Sequence, residues 1–190
     1  MEEKETRLVS KRRELKKKIN KEYMILGIIV MTIILIDQIC KLCVSGSEGI
    51  TVIQNVLNFN IQQNTNPAYG IGSNSTFMYI ITNFVILGVI FKFVTTQNEF
   101  VDMKLKTFLT LIFAGGLSNV IDRIFRGYVL EFIDFTPIVR LPIFNVADIC
   151  ILVGWVSVAA IFAVFTVNEW RNTKVKKGMK EEKEKDKENK

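Results

Sequence analysis

LIFAGGLSNVIDRIFRGYVLEFIDFTPIVRLPIFNVAD, residues Leu111–Asp148, begins inside one apolar run and ends just inside another. Between them it collects Asn119, Asp122, Arg123, Glu131, Asp134, Asn145 and Asp148. Ionisable and amide side chains at the margin of a bilayer-length segment are costly, and are by default candidates for function. Asn119 and Asp122 stand three apart, as do Asn145 and Asp148, so each pair shares a helix face. Several acids gathered at one membrane face suggest carboxylate chemistry. The stretch reads as the polar end of a membrane enzyme.

Four apolar runs surround it. Met24–Val44 is the first, Phe77–Val94 the second, Thr107 to about Phe125 the third and Ile143–Val167 the fourth. The last would be roughly 37 Å long if wholly helical, enough to span with tilt. Ala114-Gly115-Gly116 in the third permits close helix approach. Residues 45–76 hold no Lys or Arg, which fits an outer segment. Within them VLNFNIQQN alternates apolar and polar, the period of a half-buried strand. The following Asn64–Gly72 is turn-rich and leads back into the membrane. A loop is expected between the third and fourth spans. The architecture expected is an all-α integral membrane protein of four transmembrane helices with a small extracytoplasmic β element.

At 190 residues, 49% of them hydrophobic, the chain suits a small bundle of spans. The formal charge of +6 is concentrated at the two ends: residues 1–22 carry +4, residues 169–190 carry +3, and the stretch between them −1. That is the pattern of cytoplasmic membrane flanks, and no nucleic-acid partner is expected. Three parts follow: a basic arm over 1–22, a membrane domain over 23–168, and a charged, disordered tail over 169–190. Both termini are expected in the cytoplasm. The absence of His removes His bases and His-ligated metals; no metal or cofactor is expected. Cys40, Cys43 and Cys150 are odd in number and lie among apolar residues, so they read as packing residues. Asp37-Gln38-Ile39 before Cys40 lacks the small neutral residues of a cleavable lipobox, which leaves an uncleaved first span.

Sorted by this topology, Asp37, Lys41, Asn64, Asn119, Asp122, Arg123, Glu131, Asn145 and Asp148 all fall at the outer end. Asp37 and Lys41, four apart, share a helix face. Their spacing fits an interfacial ion pair as well as a share in a polar site.

At this point the sequence resembles the lipoprotein signal peptidase family, signal peptidase II. The motifs are DQICK (Asp37–Lys41), NTNPAYG (Asn64–Gly70), GGLSNVIDR (Gly115–Arg123), VLEFIDF (Val129–Phe135) and FNVAD (Phe144–Asp148). The resemblance implies a bacterial cytoplasmic-membrane aspartyl endopeptidase that cuts signal peptides from prolipoproteins, before a diacylglyceryl-modified cysteine. Its partners would be membrane lipids and those prolipoproteins, and it is expected to be a monomer. One catalytic aspartate of the family maps onto Asp148. The other falls on Glu131, nine residues beyond Asp122, with Asp134 as a rival on the same segment. Asn66, Pro67 and Ser118 are smaller departures. Supporting roles fall to Asp37, Lys41, Asn64, Asn119, Asp122, Arg123 and Asn145, with Arg123 expected to pair with Asp122. The glutamate opens a second reading, a silent or impaired homologue that still binds lipidated peptides.

Overall fold

The structure, a computed structural model, describes residues 2–65, 75–96 and 101–188. Among these it contains four long helices and a three-stranded sheet. The expected turn at Asn64–Gly72, with Asn66 and Pro67, falls largely outside the described residues, as does part of the 97–106 loop.

Helix α1 runs Glu2–Val44 without a break, so the basic arm and the first span are one helix. Residues 2–26 contain neither Gly nor Pro, and Lys, Arg, Glu and Leu are good helix formers. Past Val44 the chain turns through Gly46, at φ +89°, a conformation a side chain would oppose. Strand β1 (Ile50–Ile53) and strand β2 (Leu57–Asn64) then form an antiparallel hairpin. Helix α2 is Ser75–Thr95 and helix α3 Met103–Phe125, the latter capped by Asp102, which accepts the Leu105 amide at 2.9 Å. Strand β3 is Val129–Asp134, and helix α4 is Val146–Glu188.

β3 stands where a loop is expected. It pairs antiparallel with β2, giving the order β1-β2-β3. Its other edge meets Phe144, whose carbonyl accepts the Phe132 and Ile133 amides at 3.1 and 2.8 Å. Being covered on both faces, VLEFID shows no alternation of polarity and gives no strand signal. α4 also continues through the region expected to be a disordered tail. Between Asn172 and Glu188 lie mostly Lys and Glu, with no Pro, a composition that favours helix. The chain divides at Trp155 into two units; the second is the rest of α4, and everything below concerns the first.

All four helices are long and apolar enough to cross a membrane. α3 is the central one, with 56% of its most apolar window buried against 11% in each of the others. Its two glycines serve two neighbours. A Cβ on Gly115 would collide with the Ala147 carbonyl oxygen and stand 2.8 Å from Ile151 Cγ1, both on α4. One on Gly116 would stand 3.0 Å from Leu87 on α2. The small-residue run therefore seats α3 against α4 and α2 at once.

Gly115→Ala should therefore lower the melting temperature in detergent, with a loss of roughly 1–3 kcal/mol from overpacking. Gly27→Ala, where a Cβ meets nothing within 4 Å, should be neutral or stabilising by up to about 1 kcal/mol. Equal behaviour of the two variants would contradict the packing described.

Candidate active site

Lys41, on the last turn of α1, is fully buried. Its ammonium lies 2.6 Å from Asp37 Oδ2, 2.7 Å from Asp122 Oδ2 and 3.3 Å from Asn119 Oδ1. Three N–H groups therefore meet three acceptors. Asp37 and Lys41, four apart, form an internal pair rather than one that reaches water. Ser118 Oγ donates to Asp37 Oδ2 at 2.7 Å.

Each acid then reaches a further element. Asp37 Oδ1 accepts the Ala147 amide at 2.9 Å, one of the amides that the start of α4 leaves unpaired. Asp122 Oδ2 accepts the Leu130 amide of β3 at 3.3 Å. Its Oδ1 accepts Gln38 Nε2 at 2.9 Å and the Arg126 guanidinium. Arg123 is placed differently from expectation. Its guanidinium stacks 3.9 Å from the Tyr79 ring of α2 and donates to its own helix at Asn119 O. One turn of helix separates the two arginines' tasks: residue 126, at i+4, returns to Asp122, while residue 123 points to the α2 side.

Asp148 sits on the first turn of α4 in a reciprocal cap. Asn145 Oδ1 accepts the Asp148 amide at 2.9 Å, and Asp148 Oδ2 accepts the Asn145 amide at 3.1 Å. Asn119 Nδ2 donates to Asp148 Oδ1 at 2.8 Å. Asn145 Nδ2 reaches Asn119 Oδ1 at 3.1 Å and the Leu130 carbonyl at 3.3 Å. The spacing Asn145-x-x-Asp148 is thus a helix start as well as a candidate for chemistry.

Glu131 is presented by β3. Asn64, from the end of β2, donates to Glu131 Oε1 at 2.6 Å, the diagonal neighbour of the Gln62–Glu131 pairing. Burial pushes the Glu131 carboxyl above its ordinary range, and the nearby Asp148 adds to this; Asn64, Arg123 and Lys41 oppose it. The structure thus brings Glu131 and Asp148 into one electrostatic environment. Asp134 lies elsewhere. An odd number of residues from Glu131, it is on the other face of β3. There it accepts the Thr136 amide at 2.7 Å and Asn60 Nδ2 at 2.6 Å. Its contacts with Thr136, then Asn60, hold its carboxyl below the usual range. A β-bulge between Phe59 and Gln62 lets Asn60 and Asn64 of one strand serve these two acids separately.

Gln38 and Arg126 join the site without having been singled out in the sequence, and Ser118, noted there only as a departure from the family pattern, joins it too. Gln38 lies inside the DQICK motif. Arg126 is four residues after Asp122, a spacing that could have nominated it.

A carboxyl held high in the fold binds its proton more tightly there than in the unfolded chain. Its stability contribution is present at low pH and is lost as pH rises from the ordinary 4.5 through the raised value. Glu131→Gln, which keeps the Asn64 partner, should therefore melt above the parent near neutral pH. The advantage should shrink towards pH 4.5 and vanish below it; a pH-independent difference would contradict this.

The signal peptidase (SPase) II family model matches residues 29–165. The lipoprotein signal peptidase of Halalkalibacterium halodurans is 36% identical over 137 residues, covering 69% of this chain and 86% of that protein. That of Halothermothrix orenii is 32% identical over 155 residues, covering 78% and 97%. Among solved structures, a bacterial membrane enzyme determined by the in meso method at 2.3 Å resolution superposes with a TM-score of 0.68 at 28% identity, covering 75% of this chain and 90% of that one. With the family model matching residues 29–165 and these relatives 32–36% identical over more than two thirds of the chain, the chain belongs to the signal peptidase II family.

Proposed function

We propose that the protein is an intramembrane aspartyl endopeptidase that removes signal peptides from diacylglyceryl-modified prolipoproteins, with Asp148 and Glu131 as its carboxyl pair. The observation that carries this is the convergence of two carboxyls from separate elements on one buried polar cluster, each with a dedicated amide partner. The names of the curated relatives supply the substrate class.

The chemistry needs two acids that share a proton. One, as carboxylate, takes a proton from the attacking water; the other donates to the scissile carbonyl or to the departing amide nitrogen. The pair titrates as a unit. Asp148 has two donors on its oxygens and lies at the N-terminus of α4, which favours negative charge. Among the described residues Glu131 has one, Asn64 on Oε1, so the shared proton is better held on Glu131. Water then attacks from the Asp148 side, and Glu131 Oε2 faces the carbonyl. Asn119 and Asn145 hold Asp148, Asn64 holds Glu131, and Asp37, Lys41 and Asp122 hold the elements beneath.

A second reading rests on Glu131 itself. The side chain is one methylene longer than the aspartate expected there, and a misplacement of about 1 Å can cost roughly a hundredfold in rate. A protein that binds lipidated peptides and cleaves them slowly or not at all is the form this reading takes. In either reading the basic arm and the basic end of α4 support a cytoplasmic position for both termini, and a monomer is proposed.

On a lipid-modified prolipoprotein, Asp148→Asn should abolish cleavage with the fold retained, since the amide keeps the volume and one acceptor. Glu131→Gln should lower cleavage, Glu131→Asp preserve or raise it, and Asp134→Asn leave it near the parent. Loss in the Asp134 variant alone would move the first carboxyl to Asp134. Binding of lipidated peptide with no cleavage by any form would select the second reading.

For the topology, an enzyme reporter fused after Lys190 should be active only in its cytoplasmic form. Activity of a reporter that functions solely outside the cell would reverse the orientation.

A further inference from the structure

We propose that Arg126 is a positioning residue of the carboxyl pair: it supplies the second cation that the buried Asp37 and Asp122 require, so that the singly protonated pair is the electrically neutral state of the site. The proposal rests on the reading of Glu131 and Asp148 as a proton-sharing pair.

Among the described residues the charged groups of the cluster come from four elements. α1 contributes Asp37 and Lys41, α3 contributes Asp122, Arg123 and Arg126, β3 carries Glu131, and α4 carries Asp148. Gln38, Asn64, Asn119 and Asn145 carry no charge, and the Tyr79 ring lies beneath Arg123. Lys41 bridges both Asp37 and Asp122, yet one ammonium cannot neutralise two carboxylates. Arg126 balances the second through Asp122 Oδ1. Arg123 then balances a pair that carries one proton and one negative charge. Without Arg126 the cluster has an excess negative charge, and its neutral state becomes the one with a further proton bound.

The placement of Arg126 is built. Its Nη1 also donates to Gln38 Oε1 at 2.9 Å, and Gln38 Nε2 donates to Asp122 Oδ1 and to Ser118 Oγ at 3.1 Å. These contacts close a ring of Arg126, Asp122 and Gln38 that fixes which way the Gln38 amide faces. With Oδ1 so occupied, Asp122 Oδ2 remains for Lys41 and for the Leu130 amide, the residue preceding Glu131. Arg126 has no contact with the reacting groups and acts through Asp122. A guanidinium suits the post because it stays charged at any working pH.

The test compares Arg126→Met, which keeps length and removes charge, with Arg126→Lys, which keeps charge. Cleavage of a lipid-modified prolipoprotein and thermal unfolding are followed across pH on the purified full-length protein in detergent. Removing a cation raises the proton affinity of the acids around it. The R126M activity profile should therefore move up by about one pH unit, and its melting deficit should grow as pH rises. R126K should follow the parent in both. An R126M profile that is lower but unshifted, or a shift of equal size in R126K, overturns the proposal. If the parent itself does not cleave, the proteolytic reading fails and the melting series alone decides. A pH-independent deficit, or one shared by R126K, then overturns the role of Arg126.

Discussion

Lys41 carries three donors into a region from which water is excluded, and every other feature of the polar end answers to that. A buried ammonium is tolerable only when its charge is balanced and its hydrogens are accepted. Asp37, Asp122 and Asn119 meet both conditions. Removing one partner of such a cluster generally costs about 3–5 kcal/mol, because the remaining charge is left uncompensated. The two acids are in turn committed by geometry. One oxygen of Asp37 closes the start of α4, and one of Asp122 holds β3. A single cation thus fixes the distance between the element that presents Asp148 and the element that presents Glu131.

The same economy explains why the catalytic candidates double as structural groups. Within a bilayer, amides at a helix start have no solvent to meet them, so side chains must do so. α4 begins with Ala147 on Asp37 and Asp148 on Asn145, while Asp148 returns to the Asn145 amide. Asp148 is therefore oriented by the backbone it caps. The close seating of α3 on α4 at Gly115 brings Asn119, one turn further on, within reach of the Asp148 carboxylate. Packing at a glycine and orientation at a carboxyl are two ends of one helix contact.

Much of this was legible in the chain. The four apolar runs, the small-residue contact, the half-buried strand at residues 57–64 and the clustering of polar groups follow from periodicity and from the cost of charge near lipid. The missed elements have physical reasons. β3 has no alternation because both its faces are covered. The tail is helical because its Lys and Glu favour helix even where no hydrophobic face asks for it. Spacing alone favours Arg126 as the partner of Asp122, but the destination of Arg123 depends on α2 presenting Tyr79 to it, a tertiary fact. Glu131 and Asp134 share a segment in sequence, but strand alternation sends them to opposite faces, and that was hidden until the segment was seen to be a strand.

The extra methylene of Glu131 has to be absorbed somewhere, and the backbone of β3 is a poor place for it. Leu130 has its amide on Asp122 and its carbonyl on Asn145. Phe132, on the other side, has its amide on the Phe144 carbonyl, and its ring stands edge-on to Phe59 at 5.6 Å. A retreat of the strand would break these contacts together. The side chain is the softer degree of freedom, since a change of rotamer well costs little beside several buried hydrogen bonds. Asn64 then matters more than it would opposite an aspartate, because a longer side chain has one more torsion to restrain. Its 2.6 Å contact with Oε1 restrains that freedom. Whether a glutamate can serve here is thus a question about a single pinned torsion, set against a strand that is not free to move.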